Sequence, residues 1–76
     1  MEKLLKIFNS IILNKGLEPI DKINLDDKLD ENLGFDSLDL AELTVRVEME
    51  FNVDIFEDSI VRTVREICHK LDLLHE

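Results

Sequence analysis

The residues best suited to chemistry surround Ser37, where a glycine turn at Gly34 leads into Asp36 and Ser37. Asp36 suits the N-cap of a helix, and Asp39, three residues on, complements the positive end of the helix dipole. On this structural interpretation Ser37 is an ordinary first-turn residue. A hydroxyl at a helix N-terminus is also a favourable position for an attached phosphate. The pattern alone leaves both interpretations open.

The carboxylates beside Ser37 restrict what this serine can do. Asp36 and Asp39 are suited to orienting a divalent cation, but they repel a bare phosphodiester. This favours modification of Ser37 by another protein over free phosphate binding. No histidine lies nearby in the sequence to activate the hydroxyl, so a Ser-His-Asp nucleophile is not favoured. We therefore expect no catalytic residue in the chain.

Other potential ligands make no convincing metal site. His69 and His75 lie six residues apart and offer no suitable geometry with Cys68. Cys68 is expected to be a core residue, with a reactive role as the less favoured alternative. The acidic cluster within residues 26–31 suggests calcium only weakly, because it lacks the glycine and the distal glutamate of an EF-hand. We therefore expect no metal site.

The first of the elements that position these residues is a helix from about Glu2 to Asn14, predicted by its apolar periodicity. Gly16 and Pro19 prevent its continuation. Its apolar face comprises Leu4, Ile7, Phe8, Ile11 and Ile12. Residues 17–36 then form a long connection, which is typically functional or packed by its own side chains. The residues expected to hold it against the core are Leu25, Leu29 and Leu33.

The second helix is predicted to begin at Asp36 or Ser37 and to end near Asn52. At about 100° per residue it has three faces. Its core stripe comprises Leu40, Leu43, Val47 and Phe51. Its charged stripe comprises Asp39, Glu42, Arg46 and Glu50. Its third strip comprises Leu38, Val45 and Met49. Two interpretations of the third strip stay equally open, a peripheral part of the core and an apolar contact patch flanked by acids.

The last helix is predicted to begin at Thr63, because Thr63 and Glu66 match a capping box. In that motif the threonine hydroxyl accepts one N–H of the first turn and the glutamate reaches back to another. The buried face comprises Val64, Ile67, Cys68, Leu71 and Leu74. A single helical turn is expected around Glu57–Val61. The predicted fold is therefore all-α, a small four-helix bundle with three main helices and a short third helix.

Length and composition exclude several classes of protein. The chain has 76 residues, 45% of them apolar, which predicts one folded domain over residues 1–76. A formal charge of -9 argues against a nucleic-acid binder. The single cysteine forms no internal disulfide, and the longest apolar run, residues 11–13, is far too short to span a membrane. Without a recognisable signal peptide, we expect a soluble, cytoplasmic protein.

The negative charge is concentrated in the middle of the chain. Residues 26–58 hold twelve acids against Lys28 and Arg46, a net charge of -10, while the two flanking segments are nearly neutral. Such a surface serves solubility or, alternatively, the docking of basic partners, whose encounter rate and selectivity it increases. The charge distribution alone does not distinguish a role in solubility from a role in docking.

The stretch from Gly34 to Leu43 resembles the phosphopantetheine attachment motif of acyl carrier proteins. The core of the resemblance is Gly34-Phe35-Asp36-Ser37-Leu38, and it continues through Asp39-Leu40-Ala41-Glu42-Leu43. Glu48-Met49-Glu50-Phe51 and Val53-Asp54-Ile55 extend it further. Chain length and helix placement agree over nearly the whole sequence, so the signal is much stronger than that of a five-residue motif alone.

This resemblance implies a non-catalytic carrier. A phosphopantetheinyl transferase would use coenzyme A and Mg²⁺ to attach 4'-phosphopantetheine covalently to Ser37, beside Asp36. The arm would then carry acyl intermediates as thioesters between enzymes of fatty-acid synthesis or of a specialised acyl pathway. Those enzymes would present basic docking patches to a monomeric carrier. The same resemblance implies that the docking residues of this sequence are Leu38, Asp39, Glu42, Val45, Glu48 and Met49.

Three features depart from the family pattern. Arg46 interrupts the acidic stripe, Phe35 is bulkier than the usual residue before Asp36, and Phe56 replaces a common proline in a shortened segment before Thr63. These departures favour a dedicated pathway over housekeeping fatty-acid synthesis. The alternatives are an aminoacyl carrier, D-alanyl or peptidyl, and a plain acidic interaction module without a prosthetic group. The aspartate before Ser37 favours an acyl over a peptidyl carrier.

Overall fold

The first helix, α1, spans Glu2–Asn14 in the computed structural model, which describes residues 2–57 and 60–73 of the chain. Its five predicted apolar residues are all buried. Gly16 adopts a positive φ of 78°, its N–H donates to Leu13, and the N–H of Leu17 donates to Ile12. This is the Schellman arrangement that a glycine beyond a helix end permits. The predicted bounds of α1 are confirmed.

The connection between α1 and the next helix is held at both ends. Leu29 and Leu33 are buried, as predicted, and Leu25 is half-buried against the core. The Asn9 side chain of α1 exchanges two hydrogen bonds with the backbone of Ile20, at 2.8 and 3.0 Å. These contacts explain how a long segment without regular structure stays fixed in a small domain.

The second helix, α2, spans Ser37–Phe51, with Asp36 as N-cap and Asn52 as C-cap. Leu43 and Val47 are fully buried, and Leu40 and Phe51 are partly buried against the core, so the core stripe is confirmed. Asn52 adopts a left-handed conformation, and its N–H closes the helix on the carbonyl of Glu48 at 2.8 Å. Helix α2 thus presents its core stripe to α1 and its other faces outward.

The last helix, α3, spans Val64–Lys70, with Thr63 as N-cap. The Thr63 hydroxyl accepts the N–H of Glu66, as predicted, but it also donates to the Glu66 carboxylate at 3.2 Å. In the described contacts the Glu66 carboxylate accepts from this hydroxyl and not from a backbone N–H, so only half of the predicted capping box is formed. The backbone of this region is tied to the connection by hydrogen bonds from Leu29 to Arg62 and from Val64 to Asp27.

Helix α3 ends earlier than its apolar stripe suggests. Leu71 is its C-cap and only half-buried, and Asp72 has a positive φ of 57°. The N–H groups of Asp72 and Leu73 donate to the carbonyls of His69 and Cys68, a second Schellman arrangement. Leu74 lies outside the described residues, as does His75.

The described residues form an all-α fold with three helices and no strand. The expected short helix around Glu57–Val61 includes residues 58 and 59, which lie outside the described part. On either side of them, Ile55–Glu57 forms a turn and Ile60–Arg62 has no regular structure. Ile55 and Val61 are nonetheless buried in the single core that all three helices share. No helix in the described ranges is long and apolar enough to cross a membrane.

Candidate functional site

Ser37 is the first residue of α2 and is exposed to solvent. The preceding Asp36 caps the helix: its Oδ1 accepts the N–H of Asp39 at 2.9 Å, and its own N–H donates to Asp39 Oδ2 at 3.0 Å. The N-cap role of Asp36 is therefore confirmed. The second of these bonds, in which the Asp39 carboxylate accepts the Asp36 N–H, was not predicted, because a capping box usually has the longer Glu or Gln at this position. The two bonds fix the backbone on both sides of the Ser37 hydroxyl.

Lys15 braces this turn from the end of α1. Its Nζ lies 2.6 Å from the carbonyl oxygen of Gly34 and 2.5 Å from Oδ2 of Asp39. The hydrogen bond to Asp39 is the main reason that the pKa of Lys15 is raised. Burial alone would raise the pKa of Asp39, but the bonds from Lys15 and from the Asp36 N–H outweigh it, so the pKa is lowered. Asp39 is therefore held as a carboxylate.

Phe35 anchors the same turn to the core. Its side chain is only 2% exposed and meets Phe8 of α1 edge to face, with ring centroids 5.8 Å apart. Its N–H donates to the Leu29 carbonyl at 2.9 Å, while Gly34 takes the positive φ of 73° that the turn requires. The bulk of Phe35, a departure from the family pattern, thus packs into the core against α1.

The third strip of α2 faces solvent. Leu38 is 79% exposed, Val45 57% and Met49 82%. The peripheral-core interpretation of these residues is therefore wrong. Three large apolar side chains exposed together on one strip are characteristic of a contact surface.

The charged stripe beside this strip is paired with cations of the same chain. Arg46 Nε lies 2.7 Å from Oε2 of Glu42, one helical turn away. Lys3 of α1 lies 3.6 Å from Oε1 of Glu50. Arg46, which interrupts the acidic stripe in the sequence, thus serves as the partner of Glu42. Glu48, another predicted docking residue, is exposed.

A shallow, mostly apolar depression adjoins Ser37. It is lined by Leu40, Ala41, Thr44 and Phe56 as well as by Ser37 itself. Thr44 directs its hydroxyl into the helix, where it donates to the Leu40 carbonyl at 2.9 Å, so the lining offers mainly hydrocarbon.

Cys68 has no access to this surface. It is fully buried in the core, and burial is the main reason that the pKa of its thiol is raised. A protonated, inaccessible thiol is a poor nucleophile. The prediction that Cys68 is a core residue is confirmed.

Comparison with known proteins decides the family. Residues 2–71 match the profile of the phosphopantetheine attachment site family. The chain belongs to the acyl carrier protein family. It is 36% identical over 73 residues to an acyl carrier protein of Zymomonas mobilis, covering 93% of this chain and 88% of that one. It is 30% identical over 69 residues to one of Bdellovibrio bacteriovorus, covering 88% of this chain and 87% of that one.

Further relatives carry the same name. An acyl carrier protein of Phaeodactylum tricornutum is 36% identical over 59 residues, covering 75% of this chain and 76% of that one. No solved structure gives a significant match. Membership of this acyl carrier family implies a covalently attached 4'-phosphopantetheine group, and it does not favour the aminoacyl carrier alternative.

Proposed function

We propose that this acyl carrier protein bears its 4'-phosphopantetheine on Ser37 and carries acyl groups between enzymes. The observation that supports this most is the exposed hydroxyl on the first residue of α2, within the region that matches the phosphopantetheine attachment profile. The positive end of the helix dipole at Ser37 favours a phosphate there. When bound, the group supplies a flexible arm ending in a thiol, to which acyl groups attach.

The residues around Ser37 have separate tasks in this proposal. The capping box and Lys15 hold the turn so that the hydroxyl projects outward. The Asp36 side chain, exposed beside Ser37, offers a carboxylate oxygen to the Mg²⁺ that the modifying enzyme brings. The depression along Leu40 and Phe56 accepts the apolar part of the arm or its cargo.

The carrier itself is non-catalytic, monomeric and cytoplasmic in this proposal. The chain depends on a phosphopantetheinyl transferase and on acyl-processing enzymes for its chemistry. Those enzymes dock on α2, next to the arm. The proposed docking residues are Leu38, Asp39, Glu42, Val45, Glu48 and Met49.

The test is the intact mass of the purified protein after incubation with coenzyme A, Mg²⁺ and a broad-range phosphopantetheinyl transferase. Wild type should gain the mass of one phosphopantetheinyl group, and Ser37→Ala should gain none. Ser10→Ala, which removes a half-buried hydroxyl from α1, is the matched control and should be modified like wild type. Equal modification of Ser37→Ala and wild type would refute the assignment.

A further inference from the structure

The apolar strip Leu38, Val45 and Met49 has two flanks that differ in charge. On the flank formed by the charged stripe, each of the three acids has a cation of the same chain beside it. Lys15 lies 2.5 Å from Asp39, Arg46 2.7 Å from Glu42 and Lys3 3.6 Å from Glu50. This flank, which we call the neutralised flank, therefore presents three ion pairs with no net charge.

The other flank carries Glu48. At about 100° per residue, Glu48 lies across the apolar strip from Glu42 and on the same side of α2 as Ser37. Its side chain is exposed, and among the residues that the structure describes no cation lies within ion-pair distance of it. Glu48 is thus an unpaired acid next to the apolar strip, about three helical turns from Ser37 along the same side of α2.

This difference determines what kind of partner surface fits. A cation on a partner gains little from an acid that already has a cation beside it, because the fields of the two charges largely cancel beyond contact distance. The same cation is attracted by an unpaired carboxylate. Apolar contact with the exposed strip does not depend on charge.

We propose that, of the six docking residues named above, the apolar strip and Glu48 supply the contact, and that Asp39 and Glu42 contribute little because they lie on the neutralised flank. The partner surface that fits is an apolar groove with a basic group opposite Glu48, rather than a row of basic groups along α2. Arg46 and Lys15 are then specificity-determining residues, because they disfavour partners that rely on Asp39 and Glu42. This proposal rests on the proposed function and defines the partner class for it.

The experiment measures kcat/KM of the phosphopantetheinyl transferase for folded variants at several salt concentrations. Glu42→Gln/Arg46→Gln removes one whole ion pair and keeps the net charge. Glu48→Gln removes the unpaired acid, and Glu18→Gln, in the exposed connection, is its charge-matched control. Met49→Gln removes an apolar contact from the strip. All the substituted side chains lie on the surface except Glu42 and Arg46, which are partly exposed.

The ion-pair variant and Glu18→Gln should stay within about twofold of wild type, since exposed pairs contribute little. Glu48→Gln should lower kcat/KM about fivefold and weaken its salt dependence. Met49→Gln should lower it about tenfold with the salt dependence unchanged. If kcat/KM falls as much in the ion-pair variant as in Glu48→Gln, the inference is overturned and the proposed function is not. The same holds if Met49→Gln or Glu48→Gln has wild-type kinetics. A wild-type chain that is not modified at all would overturn the proposed function, and this inference with it.

Discussion

Replacing Asp36 separates its role as a helix cap from its proposed role in the modification of Ser37. Asp36→Ala removes the acceptor that the Asp39 N–H uses at 2.9 Å, while Asp36→Asn keeps an oxygen there. Losing an N-cap acceptor costs about 1 kcal/mol, within a range of about 0.5–2 kcal/mol. For a domain of this size that corresponds to a fall in Tm of about 4–8 °C. Asp36→Asn should unfold within about 2 °C of wild type, because Asn caps as well as Asp.

The assay is thermal unfolding followed by circular dichroism, together with the rate of phosphopantetheinyl transfer. Asp36→Asn should fold normally yet accept the group at least about tenfold more slowly, since one charge-assisted contact contributes about 1.5–3 kcal/mol. A Tm of Asp36→Ala equal to wild type would show that the cap does not stabilise α2. Normal transfer to Asp36→Asn would show that the carboxylate plays no part in the modification.

Three further predictions concern the surroundings of the site. Lys15→Gln should raise the pKa of Asp39, measured by NMR titration of its carboxyl carbon. In wild type the lowered pKa of Asp39 contributes stability that is lost as the pH falls below about 4, so the variant should lose less stability over that pH range. An unchanged titration of Asp39 would show that Lys15 does not stabilise its carboxylate. Glu48→Gln should raise the free energy of unfolding by about 0.3–1 kcal/mol at low salt in urea denaturation, because it removes a negative charge from the negative end of the α2 dipole. An unchanged free energy of unfolding would show that this repulsion does not destabilise α2. Cys68 should react with a thiol reagent only as fast as the protein unfolds, and rapid labelling of the native protein would show that the core opens locally.

The sequence predicts the helices and the place of Ser37 because these depend on local patterns. The bounds of α1 follow from its apolar spacing and Gly16, and the start of α2 from the capping preference of Asp36. The early end of α3 could not be predicted in this way. It depends on Asp72 adopting a positive φ, and the residue that usually does so after a helix end is glycine, or sometimes asparagine.

The contacts that hold the turn before Ser37 were not predictable from spacing. Lys15 and Asp39 are 24 residues apart, and the edge-to-face contact of Phe8 with Phe35 spans a similar separation. Only the packing of the connection against α1 brings these residues together. A lysine directly after a helix end was the one available signal in the sequence, and it is too common to identify a partner.

The most direct test of the central claim is fragment mass spectrometry of the protein isolated from its own cells. We predict a phosphopantetheinyl group, free or acylated, on the peptide that contains Ser37. Its acyl mass would also identify the pathway. An unmodified Ser37 peptide, or the group on any other residue, would contradict the account.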